Sequence, residues 1–278
     1  MDFRSPDGYR QYAGVLRTAD RLVVGLDFDG TLAPIVDDPE RAVIHPDAPA
    51  VLRDVAESVL AVAVVTGRPA RQVLALGDLE EVGKQLGQAG SLQVLGQYGN
   101  ELWSSRDRQV VSPEPPQGLA TLAGELPGIL LRHDADAAWV EDKGLALAVH
   151  TRRMTDPQKS FDRLLGPLTE AARSHGLSVE PGRMVIEVRA PGMDKGAAVR
   201  RLADELDAGG FVFVGDDLGD LEAFRAVREL RASGMPGLLV CSGSEEQQAL
   251  VALSDVVVDG PDGVLGFLRQ LVTDIAQL

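Results

Sequence analysis

Two carboxylates two positions apart close an apolar run, Leu22-Val-Val-Gly-Leu-Asp27-Phe-Asp29-Gly30-Thr31. On a strand, residues i and i+2 share a face, so Asp27 and Asp29 at a strand's end point the same way. Their repulsion becomes tolerable when a cation or a shared proton compensates it. The carboxyl end of a parallel strand is also where open α/β sheets bind ligands. For this segment alone, the alternative is an Asp-Gly turn after an edge strand. Ala61 to Val65 runs into Thr66-Gly67-Arg68, a hydroxyl and flexible backbone of the kind that holds phosphate oxygens. Phe211 to Val214 runs into Gly215-Asp216-Asp217-Leu218-Gly219-Asp220, which reads either as a solvated acidic turn or as a metal site. Oxygen ligands in that place suit Mg2+, which keeps waters and takes one or two carboxylates together with phosphate. Lys195, at a predicted helix start, could offset negative charge.

Lysine is scarce. Lys84, Lys143, Lys159 and Lys195 stand against 23 arginines, and Lys143 and Lys195 both sit in Asp-Lys-Gly triplets. Such positions suggest that a compact ammonium is wanted where a planar guanidinium fork will not serve, with chance as the alternative.

The elements that must position these groups follow from periodicity. Apolar, β-branched runs at 22–27, 61–65, 92–96, 211–214, 237–241 and 255–258 alternate with segments of i, i+3, i+4 spacing such as 48–60 and 195–206. This predicts an α/β fold, a mostly parallel sheet covered by helices on both faces. Residues 105–190 have a different texture: alternating stretches at 145–150, 177–180 and 184–189 surround one predicted helix at 157–175. Ser104-Ser105 and Ala190-Pro191-Gly192 read as linkers. The expected organisation is a discontinuous α/β domain, 1–104 and 191–278, with a small α+β domain inserted at 105–190.

With 278 residues, 45% of them hydrophobic, the chain can bury a large core, and a formal charge of −15 argues against nucleic acid as partner. No apolar run spans a bilayer and the start lacks a signal-peptide pattern, so no membrane partner and a cytosolic location are expected. Cys241 is the single cysteine and reads as a core residue.

Taken together, Asp27-Phe-Asp-Gly-Thr31, Thr66-Gly-Arg68, Lys195 and Gly215-Asp-Asp217 with Asp220 resemble the four ordered motifs of the haloacid dehalogenase-like (HAD) phosphatase superfamily. That resemblance implies a Rossmann-like core carrying an inserted cap of the second type (C2). The stretch Asp27 to Pro39, the segment Glu141 to Arg152 and the segment Glu180 to Arg189 are similar to the trehalose-6-phosphate phosphatase branch. Tyr98-Gly99-Asn100-Glu101 stands where that branch often has His-Gly-x-Glu. In the acidic loop, Gly219 and Leu221 replace the branch's frequent Thr and Glu, which bears on the support of the loop more than on its metal-binding Asp residues.

The resemblance implies a Mg2+-dependent phosphatase that hydrolyses trehalose 6-phosphate to trehalose and phosphate. Asp27 would attack phosphorus to form an aspartyl-phosphate, and Asp29 would serve as acid and then as base. Thr66, Gly67 and Lys195 would hold the phosphoryl group. Asp27, the Asp29 carbonyl and Asp216 would hold the metal, with Asp217 or Asp220 in support. Glu141, Lys143 and Glu187 would read the sugar, the alternative being charges on a solvated sheet face. Arg68 is expected to hold the loop that follows it, and Trp103 and Trp139 to serve core or interface packing, the alternative being a place in the lining of the cleft. A functional link to trehalose-6-phosphate synthase belongs to the same implication. Competing expectations are a superfamily phosphatase for another sugar phosphate or a glycosyl-glycerate phosphate, and a sugar-phosphate sensor without catalysis.

Overall fold

The computed structural model describes residues 3–36, 38–87, 90–243 and 248–278. The chain divides into two compact units, 1–112 with 194–278, and 113–193.

In chain order the strands are β1 (Leu22–Leu26), β2 (Ala61–Val65), β3 (Leu92–Gly96), β4 (Glu101–Ser104), β5 (Trp139–Asp142), β6 (Ala146–His150), β7 (Ser178–Gly182), β8 (Val185–Arg189), β9 (Gly210–Gly215), β10 (Gly237–Gly243) and β11 (Val256–Asp259). The α-helices are α1 (Pro6–Leu16), α2 (Ala48–Ser58), α3 (Ala70–Gly77), α4 (Leu79–Gln85), α5 (Gln117–Arg132), α6 (Pro157–Ser174), α7 (Lys195–Glu205), α8 (Leu221–Ala232), α9 (Gln248–Leu253) and α10 (Gly260–Ile275). Among the described residues, no helix is long and apolar enough to cross a membrane.

The larger unit is built on a sheet of order β11-β10-β9-β1-β2-β3-β4, parallel throughout except for the last pair. Its central strands are buried on both faces, which is why they read as continuous apolar runs. Side chains alternate between two cores. Val24, Val62, Val64, Val212 and Val214 pack with α2 and α10 residues such as Leu52, Val55 and Leu268. On the other side, Val23, Val65, Phe211, Phe213 and Leu239 pack with α7 and α8 residues such as Val199, Leu202 and Phe224. The expected strands are all present, and β4 adds an antiparallel edge. Residues 105–112 stay with this unit because the chain turns back after β4, where Leu102 and Val111 exchange backbone hydrogen bonds. The units thus divide at 112/113 and 193/194, against the expected 104/105 and 190/191.

The smaller unit is an antiparallel sheet, order β5-β6-β8-β7, with α5 and α6 on one face. Leu147, Val149, Ile186 and Val188 pack against Leu119, Leu122, Leu126, Leu164 and Leu168. Only α6 was expected here. In α5, Pro127 removes a backbone donor and three glycines depress helix propensity, yet apolar residues recur at 119, 122, 126, 129 and 130, and their burial decides the outcome.

Candidate active site

Asp27 follows β1 directly, and its backbone amide continues the pairing with β9 by donating to the Val214 carbonyl at 2.9 Å. The aligned ends of β1 and β9 bring Asp27 beside Asp216, which follows β9. Gly30 makes that approach possible. Its φ of +72° lies in the left-handed region, and an added Cβ would overlap the Asp216 carboxylate. The loop is pinned there, with the Gly30 amide donating to the Ala33 carbonyl at 2.7 Å and Ser242 Oγ donating to the Gly30 carbonyl at 2.6 Å.

Asp27, Asp216 and Asp220 present carboxylate oxygens that all lie within 4.8 Å of one another, and all three residues are buried. Lys195, the first residue of α7, donates from Nζ to Asp27 Oδ1 at 2.6 Å and to Asp220 Oδ1 at 2.7 Å. Asp220 Oδ2 accepts the amides of Asp216 at 2.9 Å and Asp217 at 3.3 Å. Both Asp220 oxygens are therefore engaged in holding Lys195 and the acidic loop. Asp217 turns its carboxylate to the Gly219 amide at 2.8 Å, capping the short helix Leu218–Asp220, and it stands outside the buried trio.

Three carboxylates against one ammonium leave an excess of negative charge in a dry place. Burial drives Asp27 well above the ordinary carboxylate range; Lys195 opposes the shift, and Asp220 and Asp216 add to it. Burial, with Asp220 and Asp217 close by, pushes Asp216 up to about 8. For Lys195, burial works against the ammonium, but the charges of Asp220 and Asp27 outweigh it and hold the group well above its ordinary value. Such a cluster retains a proton or takes a divalent cation, so its donor set fits a hard metal ion.

Asp29 lies elsewhere. Its side chain is 39% exposed, and both its oxygens accept from Arg68, from Nε at 2.6 Å and from Nη2 at 2.7 Å. Arg68 also donates from Nη1 to the Pro39 carbonyl at 2.8 Å, so it holds the segment after Asp29 as well as its carboxylate. Thr66 is buried at the end of β2, and its Oγ1 accepts the Arg68 amide at 3.1 Å. Gly67 packs beneath the Tyr98 ring: an added Cβ would lie 2.8 Å from the phenol oxygen. Glu101, on β4, accepts the first-turn amide of α3 at Ala70, 2.6 Å away, and so anchors the helix that follows Thr66-Gly67-Arg68.

In the smaller unit, strand register places Glu141, Ala148, Glu187 and Glu180 in one cross-strand row. Lys143 Nζ donates to Glu187 Oε2 at 2.6 Å, and Arg189 donates to Glu187 Oε1 at 2.9 Å and to Glu180 at 3.2 Å. His150 Nε2 lies 2.9 Å from Glu141 Oε2 and its ring stacks on Trp139. Burial works to raise the Glu187 carboxyl, yet Lys143 and Arg189 keep it below its ordinary value. Glu187 and Arg189 are both buried, which is not the condition of a solvated charged face.

Sequence reasoning assigned no part to Tyr98, Glu101 or Arg189, and gave Arg68 only a loop to hold. Each lies inside a segment that had been singled out, so position was legible and partner was not. Trp103 is buried as expected, and Cys241 is a buried free thiol.

A model of the trehalose-phosphatase family matches residues 25–84 and 132–256. The chain belongs to that family. Its matched segments carry Asp27, Thr66, Glu141, Glu187, Lys195, Asp216 and Asp220. Trehalose-phosphate phosphatase B of Arabidopsis thaliana is 30% identical over 280 residues, which cover 97% of this chain and 71% of that protein. An uncharacterized glycosyl hydrolase of Mycobacterium tuberculosis is 31% identical over 285 residues, covering 98% of this chain and 20% of that protein. The chain spans about a fifth of the length of this second relative. In fold, this trehalose-phosphatase family member is similar to the C-terminal domain of Candida albicans trehalose-6-phosphate phosphatase, with a TM-score of 0.76, 18% identity and 98% of each chain covered.

Proposed function

We propose that this chain is a Mg2+-dependent phosphomonoesterase that hydrolyses trehalose 6-phosphate to trehalose and inorganic phosphate. The observation that carries the reading is Asp27, a buried carboxylate at a strand end, clamped by Lys195 and set within a carboxylate trio. An anionic nucleophile meets an anionic ester only where charge is neutralised and geometry is fixed.

In this reading an Asp27 oxygen attacks phosphorus, the bond from phosphorus to the sugar oxygen breaks, and Asp29 gives that oxygen its proton. Water then attacks the aspartyl-phosphate, returning a proton to Asp29 and releasing phosphate and free Asp27. To take part, Asp29 must leave the Arg68 fork that occupies both its oxygens. Thr66 and Lys195 hold phosphoryl oxygens. Asp27, Asp216 and the Asp29 carbonyl would hold the metal ion, and Asp220, already engaged on both oxygens, fixes Lys195 and the loop. A bound divalent cation supplies charge that offsets the repulsion between nucleophile and phosphate. Glu141, Lys143 and Glu187 read the sugar hydroxyls, with the 113–193 unit as the cap. A cytosolic setting belongs to the same reading. Trehalose 6-phosphate links the chain functionally to the synthase that makes it.

The test is phosphate release from trehalose 6-phosphate beside glucose 6-phosphate, with and without Mg2+. The reading requires metal-dependent turnover with preference for the disaccharide; turnover of glucose 6-phosphate alone overturns the substrate.

A further inference from the structure

Gln97 and Tyr98, with φ of 49° and 59°, are the one pair of consecutive non-glycine residues in the left-handed region among the described residues, and Gly99 extends the run at φ 95°. Glycine or asparagine would take this backbone more cheaply than tyrosine does. A bulky residue persists in such a place where its surroundings fix it, and positions of this kind gather at ligand sites. The surroundings here are the Thr66-Gly67-Arg68 loop, to which the proposed function assigns the phosphoryl group. The Gln97 amide donates to the Arg68 carbonyl and the Tyr98 amide to the Thr66 carbonyl, each at 2.9 Å. That stitching turns the phenol onto Gly67, where its oxygen lies 2.8 Å from the place a Cβ would occupy. On the other side of the turn, a Cβ at Gly99 would come within 2.7 Å of Ala198 on α7, the helix that Lys195 begins. The turn thus bridges the two segments that carry Thr66 and Lys195, and its hydroxyl lies over the backbone between Thr66 and Arg68. The family match leaves out residues 85–131, so this turn stands outside it.

We propose that Tyr98 is a further substrate-binding residue, whose phenol hydroxyl donates a hydrogen bond to a phosphoryl oxygen alongside Thr66 and Lys195. Gly67 is then small because the ring must lie flat on the loop to reach the phosphate. The inference rests on the phosphomonoesterase reading, but not on which sugar the phosphate carries.

The experiment compares wild type, Tyr98→Phe and Tyr98→Asn as the full chain with Mg2+. It measures kcat/KM for trehalose 6-phosphate and for a small aryl phosphate, binding of inorganic phosphate by calorimetry, and the thermal midpoint. Tyr98→Phe is expected to lose about tenfold in kcat/KM on both substrates, and to weaken phosphate binding by a similar factor, with its thermal midpoint unchanged. Tyr98→Asn, which tolerates the left-handed backbone, is expected to stay folded and lose at least as much. Wild-type phosphate binding in both variants overturns the proposal. A loss confined to trehalose 6-phosphate also overturns it, by moving the hydroxyl to the sugar. If the wild type fails to turn over trehalose 6-phosphate, the substrate reading falls while the phosphate-binding arm still decides the role of Tyr98.

Discussion

Gly30→Ala is a one-carbon perturbation beside the buried carboxylate trio. Gly30 sits at φ +72°, and an L-residue with a Cβ pays roughly 1–2 kcal/mol to hold such a backbone. The new carbon would also overlap the Asp216 carboxylate and stand 3.0 Å from its Cβ. Comfortable carbon contacts lie at about 3.5–4.0 Å, so one partner must retreat by something near an ångström. The Gly30 loop is held by Ser242 and Ala33, which leaves Asp216 as the group that moves. Displacement by about 1 Å in a positioned site costs on the order of a hundredfold. The assay is phosphate release titrated with Mg2+, together with a thermal melt. The expected outcome is a higher Mg2+ half-saturation and a loss of about a hundredfold in kcat/KM. The midpoint should fall by about 2–8 °C, taking roughly 2–4 °C per kcal/mol for a chain of this class. Gly30→Asn separates the two causes, since asparagine tolerates the backbone but keeps the Cβ; its activity should fall as far while its midpoint falls less. A Gly30→Ala enzyme with unchanged Mg2+ dependence and rate would refute the placement of Asp216.

Asp27→Asn should abolish turnover while the protein stays folded, with a midpoint equal to or above wild type, because an amide is a poor nucleophile and relieves repulsion in the trio; phosphate release from a verified preparation is the check. Glu141→Ala, Lys143→Ala and Glu187→Ala should each lower kcat/KM for trehalose 6-phosphate roughly ten- to a hundredfold while sparing a small aryl phosphate, and equal losses on both would remove these residues from sugar recognition. In chelator-treated protein, Asp216 sits among Asp27, Asp220, Asp217 and Lys195 and is pushed up to about 8, above its unfolded value. Its protonated form therefore favours the fold at low pH, and that contribution is lost as pH rises towards about 8, by up to roughly 1.4 kcal/mol per unit. Melts between pH 5 and pH 8 should show this decline in EDTA and a smaller one with Mg2+; a midpoint that rises with pH in EDTA would contradict it.

The fold was legible where burial imposes a simple pattern. β1, β2 and β9 are apolar on both faces, so nothing competed with their reading as central parallel strands. β4 and α5 were missed for physical reasons. β4 is a four-residue edge with a glutamate and a serine, and α5 carries a proline and glycines that tertiary burial overrides. In the site, Asp27, Lys195 and Asp216 could be named because each ends or begins an element at one edge of the sheet. The choice between Asp217 and Asp220 could not be made from spacing. Asp217 caps the one-turn helix, which turns its side chain aside, whereas Asp220 at the end of that turn points back beneath Gly215 to Lys195. Likewise, Arg68 and Asp29 lie 39 residues apart in sequence, and nothing local announces that a guanidinium fork closes on the second carboxylate.

The claim that everything else depends on is covalent attack by Asp27 on the phosphorus of trehalose 6-phosphate. Wild type mixed with trehalose 6-phosphate and Mg2+ and quenched in acid within a turnover, then digested and weighed by mass spectrometry, addresses it directly. The account predicts a phosphoryl group on the peptide that contains Asp27, absent from Asp27→Asn treated in the same way. Turnover with no phosphorylated peptide at any quench time, or with the phosphoryl group on a different peptide, would contradict it.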